Sequence, residues 1–408
     1  MIVKQNKEEV INLINKVLED KMFSEISKPR KKFVAIVFWL FVSIRGRINF
    51  LQLERFSKFC EQNFRIGFQK TFDFLSFNSV LLKNSLPQSA ELAVAIDPSY
   101  INKAGKATKG IGKFWSGSSG KAKWGLELCG FALIDVFSCT AYHLKAFQSQ
   151  PCNASENIGI DLLTQYANLV IQNAQMWLSF SKYIVADAYF SKKPFVDKVI
   201  KASMHLISRL RDDADLKYLY QGEQKGGKGR PKQYDGKVDV KKPRMDYFVI
   251  DEITDEYRLM SAIVYSKALK RKIKLALVVF FNKGKTVHKI YFSTDIEMPA
   301  NKIFKYYRSR FQMEFVFRDA KQFTGLNHCQ ARSAEKLNFH WNASLTTVNL
   351  AKILHNQDKG KFSMANFKTQ CNNELMLERF FEVFGINPNS AKNQKKINEL
   401  LNFGSIAA

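Results

Sequence analysis

Two short apolar runs each end on an aspartate, in AVAIDPSY at 93–100 and YIVADAYF at 183–190. An aspartate at the end of a strand sits where open α/β sheets place their ligands. The residues between complete an order of strand, hairpin, helix, strand. Leu92 to Ile96 alternates poorly but is apolar and β-branched. Trp124 to Val136 and Thr140 to Phe147 flank a short turn, Ile158 to Trp177 has helical spacing, and Tyr183 to Ala186 is again strand-like. Neighbouring strands would bring Asp97 and Asp187 side by side. Carboxylates a few ångströms apart repel unless a cation neutralises them, and a hard divalent ion such as magnesium or manganese does so. Each aspartate also has a plainer reading, because Asp97 before Pro98 suits a turn and Asp187 before a helix start suits an N-cap.

A third carboxylate lies far along the chain. Pro299 opens a helical stretch to about Lys321 that contains KYYRSRFQMEFVFRDAK. Within it Tyr307, Arg310, Glu314 and Lys321 stand at offsets 0, 3, 7 and 14. At about 100° per residue these fall near 0°, −60°, −20° and −40°, one narrow face that Arg318 also joins. A glutamate among a tyrosine and three cations is suited to gripping phosphate beside a metal ligand. Ion pairs at i, i+4 on a solvated face account for the charges equally, though not for the aligned tyrosine.

Charge points to the partner. The chain carries 63 Lys and Arg against 37 Asp and Glu, a net +26 that attracts a polyanion. Phe33 to Val42, the longest apolar run, is far short of the roughly 20 residues a bilayer requires and reads as a buried helix. With KQNKEE at 4–9 in place of a leader, a cytoplasmic, nucleoid-associated protein is expected, with no membrane partner. The six cysteines show no C-x-x-C pair, and His328-Cys329 lacks a second pair at ligand spacing, so zinc is not expected.

Residues 1–88 read as helices that carry Arg45, Arg47, Arg55, Lys58, Arg65 and Lys70 between aromatic positions, either a DNA-facing helix or a solvated basic face. Residues 215–297 hold strand-like runs at Tyr247 to Ile250, Tyr257 to Tyr265, Ile273 to Phe281 and Val287 to Phe292. Within them Lys225 to Arg244 has eight basic residues against two Asp and stays irregular around Gly226, Gly227, Gly229 and Pro231. Arg230 before Pro231 and Lys232 are candidates for a phosphate backbone or a minor groove, with a plain surface loop equally in view. In the Gly- and Lys-rich loop from Asn102 to Trp124, Trp115 is the candidate DNA-facing ring, and Trp124 is expected to begin a core strand.

The spacing Y-x2-R-x3-E-x6-K at Tyr307, Arg310, Glu314 and Lys321 resembles the signature of a bacterial insertion-sequence transposase family of the DDE type. Asp97, Asp187, the β-rich stretch before the glutamate and GRPKQYDG at 229–236 extend that resemblance over nearly the whole chain. The resemblance implies an α/β fold: a ribonuclease-H-like mixed-sheet core interrupted by a β-rich insertion and flanked by N- and C-terminal helical regions. The expected division is a helical region at 1–88 that is a candidate DNA-binding domain, the first part of the core at 89–214, the insertion at 215–297, the rest of the core at 298–335 and C-terminal helices at 336–408.

By the same likeness Asp97, Asp187 and Glu314 are catalytic ligands of two divalent ions, Mg2+ or Mn2+, while Tyr307, Arg310 and Lys321 contact phosphates of the element's end. The implied activity is an endonuclease step followed by strand transfer, on double-stranded DNA comprising terminal inverted repeats and target, by a homodimer in the DNA complex. Some family members cut the second strand through a hairpin. The insertion contains Tyr and Phe but no Trp to hold a displaced base, which leaves that route open. A related nuclease that cuts without rejoining, or a catalytically silent DNA-binding relic, are the alternatives. The relic would be expected to show a damaged triad, and all three carboxylates stand.

Overall fold

The chain begins with five helices: α1 (Gln5–Leu18), α2 (Lys28–Ser43), α3 (Phe50–Arg55), α4 (Glu61–Gln69) and α5 (Phe74–Ser85). The apolar run in α2 is buried on nearly every side, from Phe33 to Ser43 apart from Ile36. No helix among the described residues is long and apolar enough to cross a membrane. These observations come from a computed structural model, which describes residues 5–105, 107–152, 160–224, 230–282, 285–355, 362–385 and 391–406. The start of the basic insertion segment, Lys225 to Gly229, the first residues of the helix expected from Ile158, and the break expected near Gly360 lie outside the described residues.

Four strands follow, β1 (Leu92–Ile101), β2 (Gly112–Ser116), β3 (Lys121–Asp135) and β4 (Thr140–Gln148). The helices α6 (Leu162–Gln172) and α7 (Ala174–Leu178) return the chain to β5 (Tyr183–Val185), and α8 (Lys193–Lys201) leads on to β6 (His205–Leu210). β3 is antiparallel to β1 and β4, whereas β5 runs parallel to β1 and β6 parallel to β5. The order β4-β3-β1-β5-β6 is thus mixed, with the hairpin on one side of β1 and the helical crossovers on the other. Asp97 was expected to end its strand, but β1 continues past it to Ile101 on the β3 side. Pro98 is tolerated because the parallel pairing with β5 has already stopped at Ala95, so no ladder bond on that side calls for its missing N–H.

The segment expected as an insertion extends this sheet. It forms β7 (Leu216–Leu219), β8 (Tyr234–Lys237), β9 (Val249–Ile253), β10 (Tyr257–Ser266), β11 (Arg271–Asn282) and β12 (Lys285–Ser293). β12 pairs with β6, and the order runs on as β12-β11-β10-β7-β8, giving a sheet of 12 strands among the described residues. Next comes α9 (Ala300–Ser309), then α10 (Gln312–Phe323), α11 (Ala334–His355), α12 (Met364–Phe384) and α13 (Ala391–Leu401). The single helix expected from Pro299 to Lys321 is therefore two. Around the break the N–H groups of Arg310, Phe311, Met313 and Glu314 bond carbonyls three residues back, at 3.0–3.4 Å, so a tightened 3-10 turn replaces the straight α-helical register.

Adjacent residues on a strand face opposite ways, and β3 uses this to separate two helical layers. Phe131 stacks on Trp177 of α7 with centroids 4.6 Å apart. Gly130 beside it faces α10, where an added Cβ would stand 2.6 Å from Phe317 and 3.0 Å from Met313. The N-terminal helices share one core with α11 and α12, as the 4.4 Å centroid separation of Phe68 and Phe339 illustrates.

β4 would leave an open edge, and α11 closes it with side chains. Asn349 Oδ1 accepts the His143 N–H at 2.7 Å and its Nδ2 donates to the His143 carbonyl at 2.7 Å. Asn342 does the same for Ala146, at 2.8 and 3.0 Å. The two asparagines are two helical turns apart, about 10.5 Å, which matches the roughly 10 Å spanned by three strand residues. Leu144, the extra residue of a bulge, gives its carbonyl to Asn78, and the Ala141 carbonyl accepts from Lys352.

Two buried histidines belong to the same layer. His143 Nε2 donates to Asn342 Oδ1 at 3.0 Å and His340 Nε2 to the Gly325 carbonyl at 2.7 Å. Burial holds their pKa values down, to about 3 and about 4, against an ordinary 6.5. The depressed values mean that the stability these neutral rings contribute is fully present above pH 6.5 and is lost as pH falls toward those values. In a histidine-ring NMR titration both signals are expected to stay constant from pH 8 to 5. Titration of either near pH 6.5 would show that its ring is solvated.

Candidate active site

Asp97 and Asp187 occupy equivalent positions. The last parallel pair between their strands is Ala95 with Val185, and each aspartate stands two residues beyond it. Asp97 is opposite Gly130 in the β3 register, on the face against which α10 packs. Asp187 also fulfils its plainer reading, since its Oδ1 accepts the Tyr189 N–H at 2.9 Å and caps the 3-10 turn Ala188–Phe190. Its carbonyl accepts the Ser208 hydroxyl at 2.8 Å, which ties the aspartate to β6.

α10 brings Glu314 to the same place in its first turn. Arg310, in the tightened turn before it, donates from Nη2 to Glu314 Oε1 at 3.0 Å and has Nη1 3.9 Å from Asp97 Oδ1. Two turns on, Lys321 Nζ donates to Ser99 Oγ at 2.9 Å. Ser99 is two residues beyond Asp97 and so on the same side of β1. Tyr307, at the end of α9, packs on Tyr291 with centroids 4.9 Å apart and lies under the Arg310 guanidinium.

The electrostatics describe one coupled group. Burial raises the Asp97 carboxyl to about 7; Arg310 and Lys321 pull it down, while Asp187 and Glu314 push it further up. Asp187 is likewise raised by burial and by Glu314, against Arg310 and two backbone N–H groups. Burial tends to lower Arg310, but Asp97, Tyr307 and Glu314 outweigh it and hold the guanidinium firmly charged. Arg310 Nε is buried with no hydrogen-bond partner among the described residues, so the group has donor capacity to spare. Among the described residues no three His, Cys, Asp or Glu side chains are gathered closely enough to hold a metal ion as they stand. Between Asp97 and Glu314 sits Arg310.

Other expected residues lie elsewhere. Arg318 turns to its neighbour Asp319, with Nη2 2.9 Å from Oδ1, and stacks over Phe315. Arg230 bonds Gln233 in an open basic cleft with Lys217, Lys267 and Lys270, and Lys232 beside it bonds Asp235. The nearest strand of that cleft, β10, which carries Tyr265, is four strand steps from β5, about 19 Å across the sheet. Trp115 is 63% exposed on β2. Trp124, expected to begin a core strand, is corrected to a surface residue at 61% exposure, because the first residues of β3 pair with β2 in a ribbon whose outer face nothing covers among the described residues. Ser99 and Gly130 were not anticipated. The two-residue period from Asp97 would have found Ser99, but the helix approach that requires Gly130 is a long-range contact.

The sheet order and the paired aspartates define a ribonuclease-H-like α/β protein with helical N- and C-terminal regions. Residues 132–350, just over half of the chain, match the family described as Transposase DDE domain, and the chain belongs to that family. Asp187 and Glu314 fall inside the matched span and Asp97 precedes it. No curated protein matches the chain.

Proposed function

We propose that this chain binds the DNA ends of an insertion sequence, cuts them, and joins them to target DNA, with Asp97, Asp187 and Glu314 as its catalytic residues. The observation that carries this is the equal offset of the two aspartates past their last shared pair, with Glu314 linked to Asp97 through Arg310. The donor set suits two Mg2+ or Mn2+ ions in kind: three carboxylates, all oxygen, with burial and mutual repulsion raising Asp97 so that a cation beside it is favoured. Bound there, such ions supply an activated nucleophile and stabilise the leaving oxygen of a phosphodiester.

The protein's own part is alignment. Arg310 has a charged, partly unpaired guanidinium that suits bidentate contact with a phosphate. When DNA enters, it moves from Glu314 and Asp97 to the phosphate and frees both carboxylates for ligation. Lys321, held by Ser99 beside Asp97, supplies a second cation, and Tyr307 stiffens Arg310 from below. Arg318, Arg230, Lys232 and Trp115 contact DNA away from the cut. Two ends require two active sites, so the protein acts on DNA as a homodimer. The exposed Met376, Phe380, Val383 and Phe384 of α12 offer it a contact face. Sizing with and without end DNA checks this, and a monomer in both states contradicts it.

A strand-transfer assay with labelled end duplex, unlabelled target and magnesium or EDTA tests the reaction. Joined product in magnesium alone supports the transposase, cut ends without joining indicate a nuclease, and binding without chemistry indicates a relic. Gly130→Val tests the geometry. Its side chain would drive Phe317 and Met313, and so α10, away from Asp97; a shift near 1 Å costs about a hundredfold in rate. End binding should change by less than about threefold, and unchanged cleavage would mean that α10 does not need its close approach.

A further inference from the structure

The ribbon formed by β2 and the start of β3 carries two tryptophans on one face. Trp115 pairs with Ala122 and Trp124 with Lys113, and paired residues share a face, so Lys113, Trp115, Ala122 and Trp124 all point the same way. Both indoles are more than 60% exposed. The opposite face is pinned by Phe114, which is buried, so the ribbon is held in place and the exposure is not that of a loose end. Its root is fixed as well: the Tyr100 hydroxyl donates to the Trp124 carbonyl, and a Cβ on Gly125 would stand 2.6 Å from both the Tyr100 ring and the Ile101 carbonyl. The tryptophans therefore keep a set position relative to β1 and Asp97.

Their spacing identifies what fits. Trp115 and Trp124 are diagonal neighbours in an antiparallel ladder, which sets their Cα atoms about 7–8 Å apart and their Cβ atoms somewhat closer, a base from which two long side chains can flank one ring. One flat ring stacked on both sides needs about 7 Å, twice the roughly 3.4 Å between stacked bases. A base inside a duplex already has neighbours on both faces and can enter such a notch only by leaving the stack. Lys113 on the same face supplies positive charge for an adjoining phosphate, and the exposed Lys121 and Lys123 add to the local field from the ribbon's other face.

We propose that Trp115 and Trp124 form a clamp for one unpaired nucleobase of DNA, with Lys113 on a neighbouring phosphate. This rests on the DNA-binding reading above. Trp124 lies six residues along β3 from Gly130, opposite Asp97, which is about 20 Å. The clamped base is thus about six base steps from the cut and is not the reacting nucleotide. The clamp marks and holds a distortion in the DNA at that distance.

Full-length protein is titrated with two labelled duplexes of one sequence, one fully paired and one with a single bulged adenine replaced by 2-aminopurine. Wild type should bind the bulged duplex more tightly and quench the 2-aminopurine. Trp124→Ala should weaken that binding about tenfold and relieve the quenching, with less than about twofold change on the paired duplex, and Trp115→Ala should relieve the quenching as well. Trp124→Phe should retain most of the preference, and since both side chains are exposed, circular dichroism should be unchanged. Equal losses on both duplexes would overturn the clamp in favour of a grip on paired DNA. A change in oligomeric state with DNA binding intact would assign the face to a second copy of the chain. Failure of the wild type to bind either duplex would sink the clamp and the DNA reading together, whereas paired-duplex binding without a bulge preference sinks the clamp alone.

Discussion

Asp97→Asn, Asp187→Asn and Glu314→Gln are each expected to slow DNA cutting and joining by about a thousandfold or more while leaving end binding intact. Loss of one carboxylate ligand removes several kcal/mol of charge stabilisation from the reaction, and about 4 kcal/mol corresponds to about three orders of magnitude in rate. Binding should hold or tighten slightly, because each change removes a negative charge that faces phosphate. Gel-shift and cleavage assays on the same preparations read the two quantities. A variant that binds normally and still cuts within tenfold of wild type would remove that residue from the site. Asp187→Asn also keeps a side-chain oxygen for the Tyr189 N–H, so the 3-10 turn should survive and a loss of activity would not reflect local unfolding.

The largest expected effect on stability lies at the sheet edge. Asn349→Leu strips both hydrogen bonds from the His143 backbone and one from Asn78, all in the buried interior. A buried polar group left unpaired costs about 1–3 kcal/mol, so the substitution should destabilise the protein by about 3–5 kcal/mol. Urea denaturation of the two proteins measures it. A loss below about 1 kcal/mol would mean that the edge of β4 is satisfied in some other way once the asparagine is gone.

These two regions differ sharply in how far the sequence discloses them. The strand, hairpin, helix, strand order is legible because each element is local and amphipathic in its own period. The offset of both aspartates then follows from where the apolar runs stop. Arg310, Glu314 and Lys321 are legible from spacing, yet the turn that divides α9 from α10 is not. Both of its residues keep right-handed helical angles, and nothing in their composition interrupts a helix. Pairing of β12 with β6 joins residues some 80 positions apart, and no local pattern encodes it. Nothing in the local pattern around Asn342 and Asn349 marks either as an interior residue. Only contact with β4 makes them interior residues. Trp124 fails for the converse reason, since an aromatic residue in a strand reads as core and a two-stranded ribbon leaves one of its faces bare.

The most direct test of the account is binding of Mn2+ to the complex of the protein with its end DNA, followed by electron paramagnetic resonance, for wild type and Asp97→Asn. The account predicts two tightly bound ions per active site in the wild type, with at least one lost or weakened more than tenfold in the variant. Equal Mn2+ binding by both proteins, alongside DNA cleavage that persists in EDTA, would contradict it.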